Sequence, residues 1–269
     1  LTALPREIYF INERGGEMKG IKSIQGLVER LFFRGQSSKA SEALVYIVAN
    51  LLLMGVVFYL VLNNIVYDWT GALYAKGFHL NTALDNIIPF RPEWAIFYLY
   101  LFYYTAELTM VFFAVFDYRR GYALAWSLVL INLVADLVYL VFPVTTDIYR
   151  AQIAAHPIVG SRFADAIYAY YAKDPSFDCF PSLHAAVSVI CFYAWYRYSR
   201  IKPNAVIKVI AIVMFAVAVG VVLSTLFVKQ HYIADEVAGI ALALGIGKWV
   251  FDRAGRNEPM KSGRRDAEA

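Results

Sequence analysis

Apolar positions along the chain gather into six runs, near 43–62, 94–116, 121–142, 182–196, 204–228 and 232–251, and charge, Pro and His return between them. A helix needs about 20 predominantly apolar residues to cross the hydrocarbon core of a bilayer. The fourth run is short from Ser182 and reaches that length by extending towards Tyr198. The pattern predicts an all-α, polytopic six-helix transmembrane bundle over 43–251, between a basic segment at 1–42 and a basic tail at 252–269. No internal repeat, low-complexity run or Gly-rich nucleotide loop interrupts it, which argues against an ATP-driven pump.

Composition agrees: 60% hydrophobic residues against 17% charged ones lies far from the balance of a soluble domain. The net charge of +4 reads as membrane topology rather than nucleic-acid binding, because Lys and Arg collect on cytoplasmic segments. Arg6, Arg14, Lys19, Lys22, Arg30, Arg34 and Lys39 precede the first run. Arg119 and Arg120 fill the second connection, Arg197, Arg200 and Lys202 the fourth, and Arg253, Arg256, Lys261, Arg264 and Arg265 the tail. The other connections are longer yet poorer in basic residues, so both termini are expected inside and connections one, three and five outside. The first forty residues are mixed and charged, unlike a cleavable signal peptide. Met18 reads as the true start, with 1–17 as an upstream extension. Cys191 falls inside a run, so no disulfide with Cys179 is expected.

The outward connections hold the unusual residues. His184 stands at the start of the fourth run, and His231 and Asp235 lie four apart in "STLFVKQHYIADEVAG". On a helix that spacing stacks two side chains on one face, so Asp235 is expected to accept a bond from one imidazole nitrogen and leave the other free. "LDNIIPFRPEW" adds Asp85, Arg91 and Pro92. His79 and His156 read as caps or surface groups. Glu107 and Asp136 lie inside runs two and three, where ionisable groups are costly and either functional or bonded between helices. Tyr98, Tyr100, Tyr103 and Tyr104 suggest an interface belt. The 143–181 connection has the length of a lid, and "SRFADAIYAYYAK" the spacing of a short interfacial helix.

These motifs resemble the type 2 phosphatidic acid phosphatase superfamily, whose signatures run K-x6-R-P, P-S-G-H and S-R-x5-H-x3-D. Here stand Arg91-Pro92, "PSLH" at Pro181 to His184, and Ser224 with His231 and Asp235 at the matching spacing. "FPSLHA" and "KQHYIAD" are similar to the inositol phosphorylceramide synthase branch. Leu84, Leu183 and Thr225 replace the family's Lys, Gly and Arg, and two of these changes remove positive charge.

The resemblance implies a membrane lipid phosphatase or headgroup phosphotransferase that needs neither metal nor cofactor. His231 would form a phosphohistidine, Asp235 would orient it, and His184 would serve as acid and then base. Ser182 and the helix-start amides would hold phosphate oxygens, with Arg91, Lys229 and Ser224 as the other phosphate-binding residues and Arg150 as a further source of charge. The implied partners are a lipid phosphate, an acceptor alcohol and membrane lipids, with no nucleic acid. The site is expected to face the periplasm, the outside or an organelle lumen. A non-enzymatic transporter or flippase is the alternative. A rival metal grouping of His184, His231, Asp235 and Glu236 is disfavoured because neighbouring helical positions point about 100° apart.

Overall fold

The computed structural model describes residues 69–74, 76–174 and 176–256, together with Leu44, Val48 and Leu52. Apart from those three residues, the first apolar run lies outside the described residues, as do the basic segment before it and 257–269 of the tail. Among the described residues the elements are helical. Only two isolated bridges, Phe78 with Val144 and Val144 with Asp178, add extended pairing.

Helix α1 (Ala83–Ile87) starts at a capping box, in which Thr82 and Asp85 satisfy each other's backbone N–H groups. A 3-10 turn (Pro92–Trp94) and a π-helical segment (Ile96–Leu101) lead into α2 (Phe102–Phe116). Asp117 caps α3 (Tyr118–Val141) through the Arg120 amide. The long third connection folds into α4 (Asp147–Ala155) and α5 (Arg162–Tyr171), with Ser161 capping the latter. The short helix expected there is α5; α4 is an addition. The bundle is completed by α6 (Leu183–Ile201), α7 (Ala205–Phe227) and α8 (Ile233–Arg256).

Among the described residues, three stretches are long and apolar enough to cross a membrane: Pro92–Phe116, Arg120–Val141 and Ala205–Phe227. On α7 the large apolar side chains Val206, Val209, Ile212 and Phe215 point outward and are exposed. A helix that is apolar all round belongs in a core or in lipid. The fourth and sixth runs form α6 and α8, which carry more charge: Arg197 and Arg200 on one, Asp235, Glu236, Lys248 and Asp252 on the other.

Helix α6 is the axis of the assembly, packed by α7, α8, α3 and α2. Its Ala185, Ala186, Ser188 and Ala194 are buried, and such small side chains let neighbouring helices approach closely, as at interfaces within membranes. Glycine supplies the other half of the seam. A Cβ at Gly239 of α8 would lie 2.3 Å from the Ser182 carbonyl oxygen, and one at Gly247 would lie 2.5 Å from Ile190. The same seam carries a hydrogen bond from the Ser182 amide to the Asp235 carbonyl at 3.0 Å.

Candidate active site

The starts of α6 and α8, the ends of α3 and α7 and the start of the α2 stretch share one end of the bundle. Backbone bonds stitch the connections there. Phe78 donates to the Pro143 carbonyl at 2.7 Å, Thr145 to Phe78 at 2.9 Å and Cys179 to Val144 at 3.3 Å. Arg91 donates to the Phe227 carbonyl at 2.9 Å, and Ile233 to Asp85 Oδ1 at 2.8 Å. All three chain-distant clusters of the sequence are thereby drawn together.

His184 and His231 face each other with ring centroids 5.7 Å apart. His184 is sandwiched between Tyr98, stacked at 4.5 Å, and Phe102, tilted at 4.5 Å, while its Nε2 has no hydrogen-bond partner. Tyr98 is only 1% exposed and so does not belong to the expected belt; Tyr100 and Tyr104 are exposed, as a belt requires. The buried Tyr98 sits in the π segment, a feature frequent at functional sites.

His231 keeps the expected contact with Asp235 and has a second, nearer acceptor. It precedes α8 rather than lying within it, so the turn at the helix start, not stacking along the helix, brings it towards Asp235. Its Nδ1 lies 2.9 Å from the Cys179 carbonyl oxygen and 3.4 Å from Asp235 Oδ2. That Asp235 oxygen accepts the Tyr232 amide at 2.8 Å, because the helix start needs a cap. A carbonyl oxygen can only accept, so Nδ1 carries the proton and Nε2 keeps its lone pair. Nothing in a sequence announces a backbone acceptor, and the Cys179 carbonyl was illegible for that reason. Burial, the largest influence, pushes the His231 imidazolium down, but the Asp235 bond and the Glu236, Asp235 and Asp178 carboxylates outweigh it and hold the pKa above the ordinary value.

Ser182 is the N-cap of α6, and its hydroxyl oxygen accepts the Ala185 amide at 3.2 Å. With its own amide on Asp235, the first-turn donors left over are those of Leu183 and His184, the arrangement that favours an anion. The other expected phosphate ligands are spread more widely. The Ser224 hydroxyl turns back to the Val221 carbonyl at 2.6 Å. Lys229 Nζ donates to the Asp85 carbonyl at 2.8 Å and lies 4.4 Å from the Tyr149 ring centroid; burial, opposed by Asp85, lowers its pKa. Arg91 is exposed. Arg150 is committed elsewhere: it bonds the Asp174 carboxylate and carbonyl and the Gln230 amide oxygen, and it lies over Tyr171. Tyr171 in turn donates to the Val228 carbonyl. This clamp holds the turn that carries His231. Burial, reinforced by Asp174, pushes Asp178 up to about 7.

For a metal, the ligand atoms of Cys179, His231 and Asp235 lie within 4.8 Å of one another, a grouping that leaves out the His184 and Glu236 of the rival reading. His79 pairs with Asp147 at 2.6 Å on the exposed surface, and His156 ends α4 as its C-cap.

Comparison with curated proteins and with solved structures returns no match. A family model described as the PAP2 superfamily matches residues 76–249, a span that takes in every residue of the paired-histidine site, and the chain belongs to that superfamily.

Proposed function

We propose that the chain is an integral membrane enzyme that cleaves a lipid phosphate ester through a phosphohistidine at His231. Membership of the PAP2 superfamily brings phosphatase-type activity as the expectation. The single observation that carries the finer reading is the His231 tautomer, whose Nδ1 proton is fixed on the Cys179 carbonyl so that Nε2 is the nucleophilic nitrogen. In the first step Nε2 attacks phosphorus, the P–O ester bond breaks, and the departing alkoxide takes a proton from an imidazolium at His184. In the second, His184 removes a proton from water or an acceptor alcohol as its oxygen attacks phosphorus, and the P–N bond breaks. Asp235 stabilises the cationic ring between the steps. The amides of Leu183 and His184 beside Ser182 hold the phosphate, and Arg91, Lys229 and Ser224 complete the set once Lys229 and Ser224 exchange their bonds to the Asp85 and Val221 carbonyls for the substrate.

Six spans, cytoplasmic termini and a site on the non-cytoplasmic surface fit the distribution of Lys and Arg. "FPSLHA" and "KQHYIAD" favour the inositol phosphorylceramide synthase-like branch, in which an alcohol rather than water is the acceptor. The test is purified protein incubated with a panel of lipid phosphates, with and without acceptor lipids, assayed for free phosphate and new headgroup lipids. His231→Ala and His184→Ala should each lose activity by orders of magnitude. A nitrophenyl leaving group, which needs no protonation, should partly restore bond cleavage in His184→Ala but not in His231→Ala. Equal restoration in both would remove the phosphohistidine.

A further inference from the structure

The tip between α4 and α5 lies at the site's end of the bundle and takes no part in the proposed chemistry. It reads Pro157, Ile158, Val159 and Gly160, and Phe163 follows on the first turn of α5. Val159 is 89% exposed, and Ile158 and Phe163 are exposed beside it. The tip stands clear of the bundle at its end, where Gly160 takes the left-handed conformation and a Cβ added to it would meet nothing within 4 Å.

A helix lying on a membrane turns its apolar face to the lipid. Helix α5 does the opposite: Ile167, Tyr170 and Tyr171 pack inward with Ala95, Tyr98 and Val228, while Arg162 and Asp165 are exposed. The apolar groups that remain for a lipid surface are those of the tip.

The tip's neighbours decide what it meets. The Ile158 amide donates to the Tyr168 hydroxyl oxygen at 2.9 Å, and the Tyr168 ring stacks on Phe90 at 6.4 Å. The next residue, Arg91, donates its amide to the Phe227 carbonyl, and Trp94 stacks on the Phe227 ring at 4.7 Å. Phe227 ends one stretch long and apolar enough to cross a membrane, and Pro92 begins another. Near those ends the same stretches expose Leu223 and Ile96. Through Tyr168 and Phe90 the tip is thus tied to the rim where two such stretches stop.

Apolar side chains scattered singly over a surface are ordinary, but a group of them on one protrusion marks an interaction site. We infer that the tip 157–160, with Phe163, inserts into the bilayer leaflet at the site's end of the bundle, so that its partner is the boundary between lipid headgroups and acyl chains. Arg162 is exposed between Val159 and Phe163, where its guanidinium can stay among headgroup phosphates while its stem lies along apolar surface. The contact fastens the connection that caps the histidines to the membrane. It rests on the chain being a membrane protein and holds whatever reaction the histidines perform.

The experiment places a nitroxide on Val159→Cys of the full chain, reconstituted in phosphatidylcholine vesicles. Cys179 and Cys191 are buried, and wild-type protein treated with the same label supplies the blank. Collisions with oxygen, which concentrates in hydrocarbon, should exceed those with a water-soluble nickel chelate and put the label roughly 5–10 Å below the headgroup level, the depth of interfacial apolar side chains. The same label on Asp165→Cys, on the exposed face of α5, should collide mainly with the chelate. A label at 159 that meets the chelate more than oxygen, or that cannot be told from the label at 165, would overturn the inference. Spin–spin broadening at 159 that disappears on dilution with unlabelled protein would assign the tip to a second copy of the chain and overturn it equally. Should Val159→Cys fail to fold, Ile158→Cys gives the same readings. None of them requires turnover of a lipid, so failure of the proposed reaction and failure of this contact are seen separately.

Discussion

Gly239→Ala tests whether the seam between α6 and α8 sets the distance between the two histidines. In an exposed helix interior this change stabilises by about 0.5–1 kcal/mol. Here the new Cβ would lie 2.3 Å from the Ser182 carbonyl oxygen, a backbone atom that cannot swing aside, and 3.2 Å from the Ala185 Cβ. Relieving the contact requires the helices to separate by about 1 Å, and a displacement of that size costs on the order of 10²-fold in rate when it moves reacting groups. The bond from the Ser182 amide to the Asp235 carbonyl lies on the same seam and should weaken with it. The assay is phosphate release by detergent-purified protein, read beside its thermal unfolding curve. Gly245→Ala is the control, since a Cβ there meets nothing within 4 Å; it should be as active as the wild type and slightly more stable. Wild-type kcat and Tm in Gly239→Ala would refute the reasoning, because the two histidines would then not depend on this approach.

Two further outcomes follow from the site. In the proposed mechanism His231 must be neutral to attack, and its pKa is held above 6.5, so the rate should climb with pH through a midpoint above that value. Asp235→Asn removes a contact that raises the pKa and leaves burial, which lowers it, so the midpoint should move to lower pH; a midpoint unmoved in pH–rate profiles would contradict the assignment. The same shift stabilises the fold at pH below the unfolded His value, and this contribution is lost as pH rises through the folded pKa. Activity should persist in excess chelator and in Cys179→Ala, because His231 uses the Cys179 backbone rather than its thiol; loss restored by one divalent ion alone would instead favour a Cys179, His231 and Asp235 metal site.

The long helices were legible because apolar runs of bilayer length leave a plain trace, and the ends of α3 and α7 fall within a few residues of the expected boundaries. The convergence of His184, His231 and Asp235 was legible through motif spacing alone. What stayed hidden was whatever depends on the backbone or on a third element. The Cys179 carbonyl has no side-chain signature. Tyr98 and Tyr100 look alike in sequence, and only the packing of the π segment against α7, with His184 of α6 beside it, decides that one stacks on His184 while the other is exposed. From the sequence Arg150 is a further source of charge and Lys229 a phosphate-binding residue. Their commitments to Asp174 and Asp85 span 24 and 144 positions of chain, beyond the reach of any local pattern.

The stitched connections bear on how the molecule opens. Phe78 of the first connection exchanges backbone bonds with Pro143 and Thr145 of the third, Cys179 bonds Val144 within the third, and Arg150 and Asp174 of the third bond Gln230 of the fifth. No one of these segments can be released while the others keep their partners. The cap over the histidines therefore constitutes a single cooperative unit, whose amides should exchange with solvent hydrogen together and at one free energy rather than loop by loop. Since Gln230 adjoins His231, each such opening also unseats the proposed nucleophile, and the lifetime of the closed cap sets an upper bound on how long an assembled site persists.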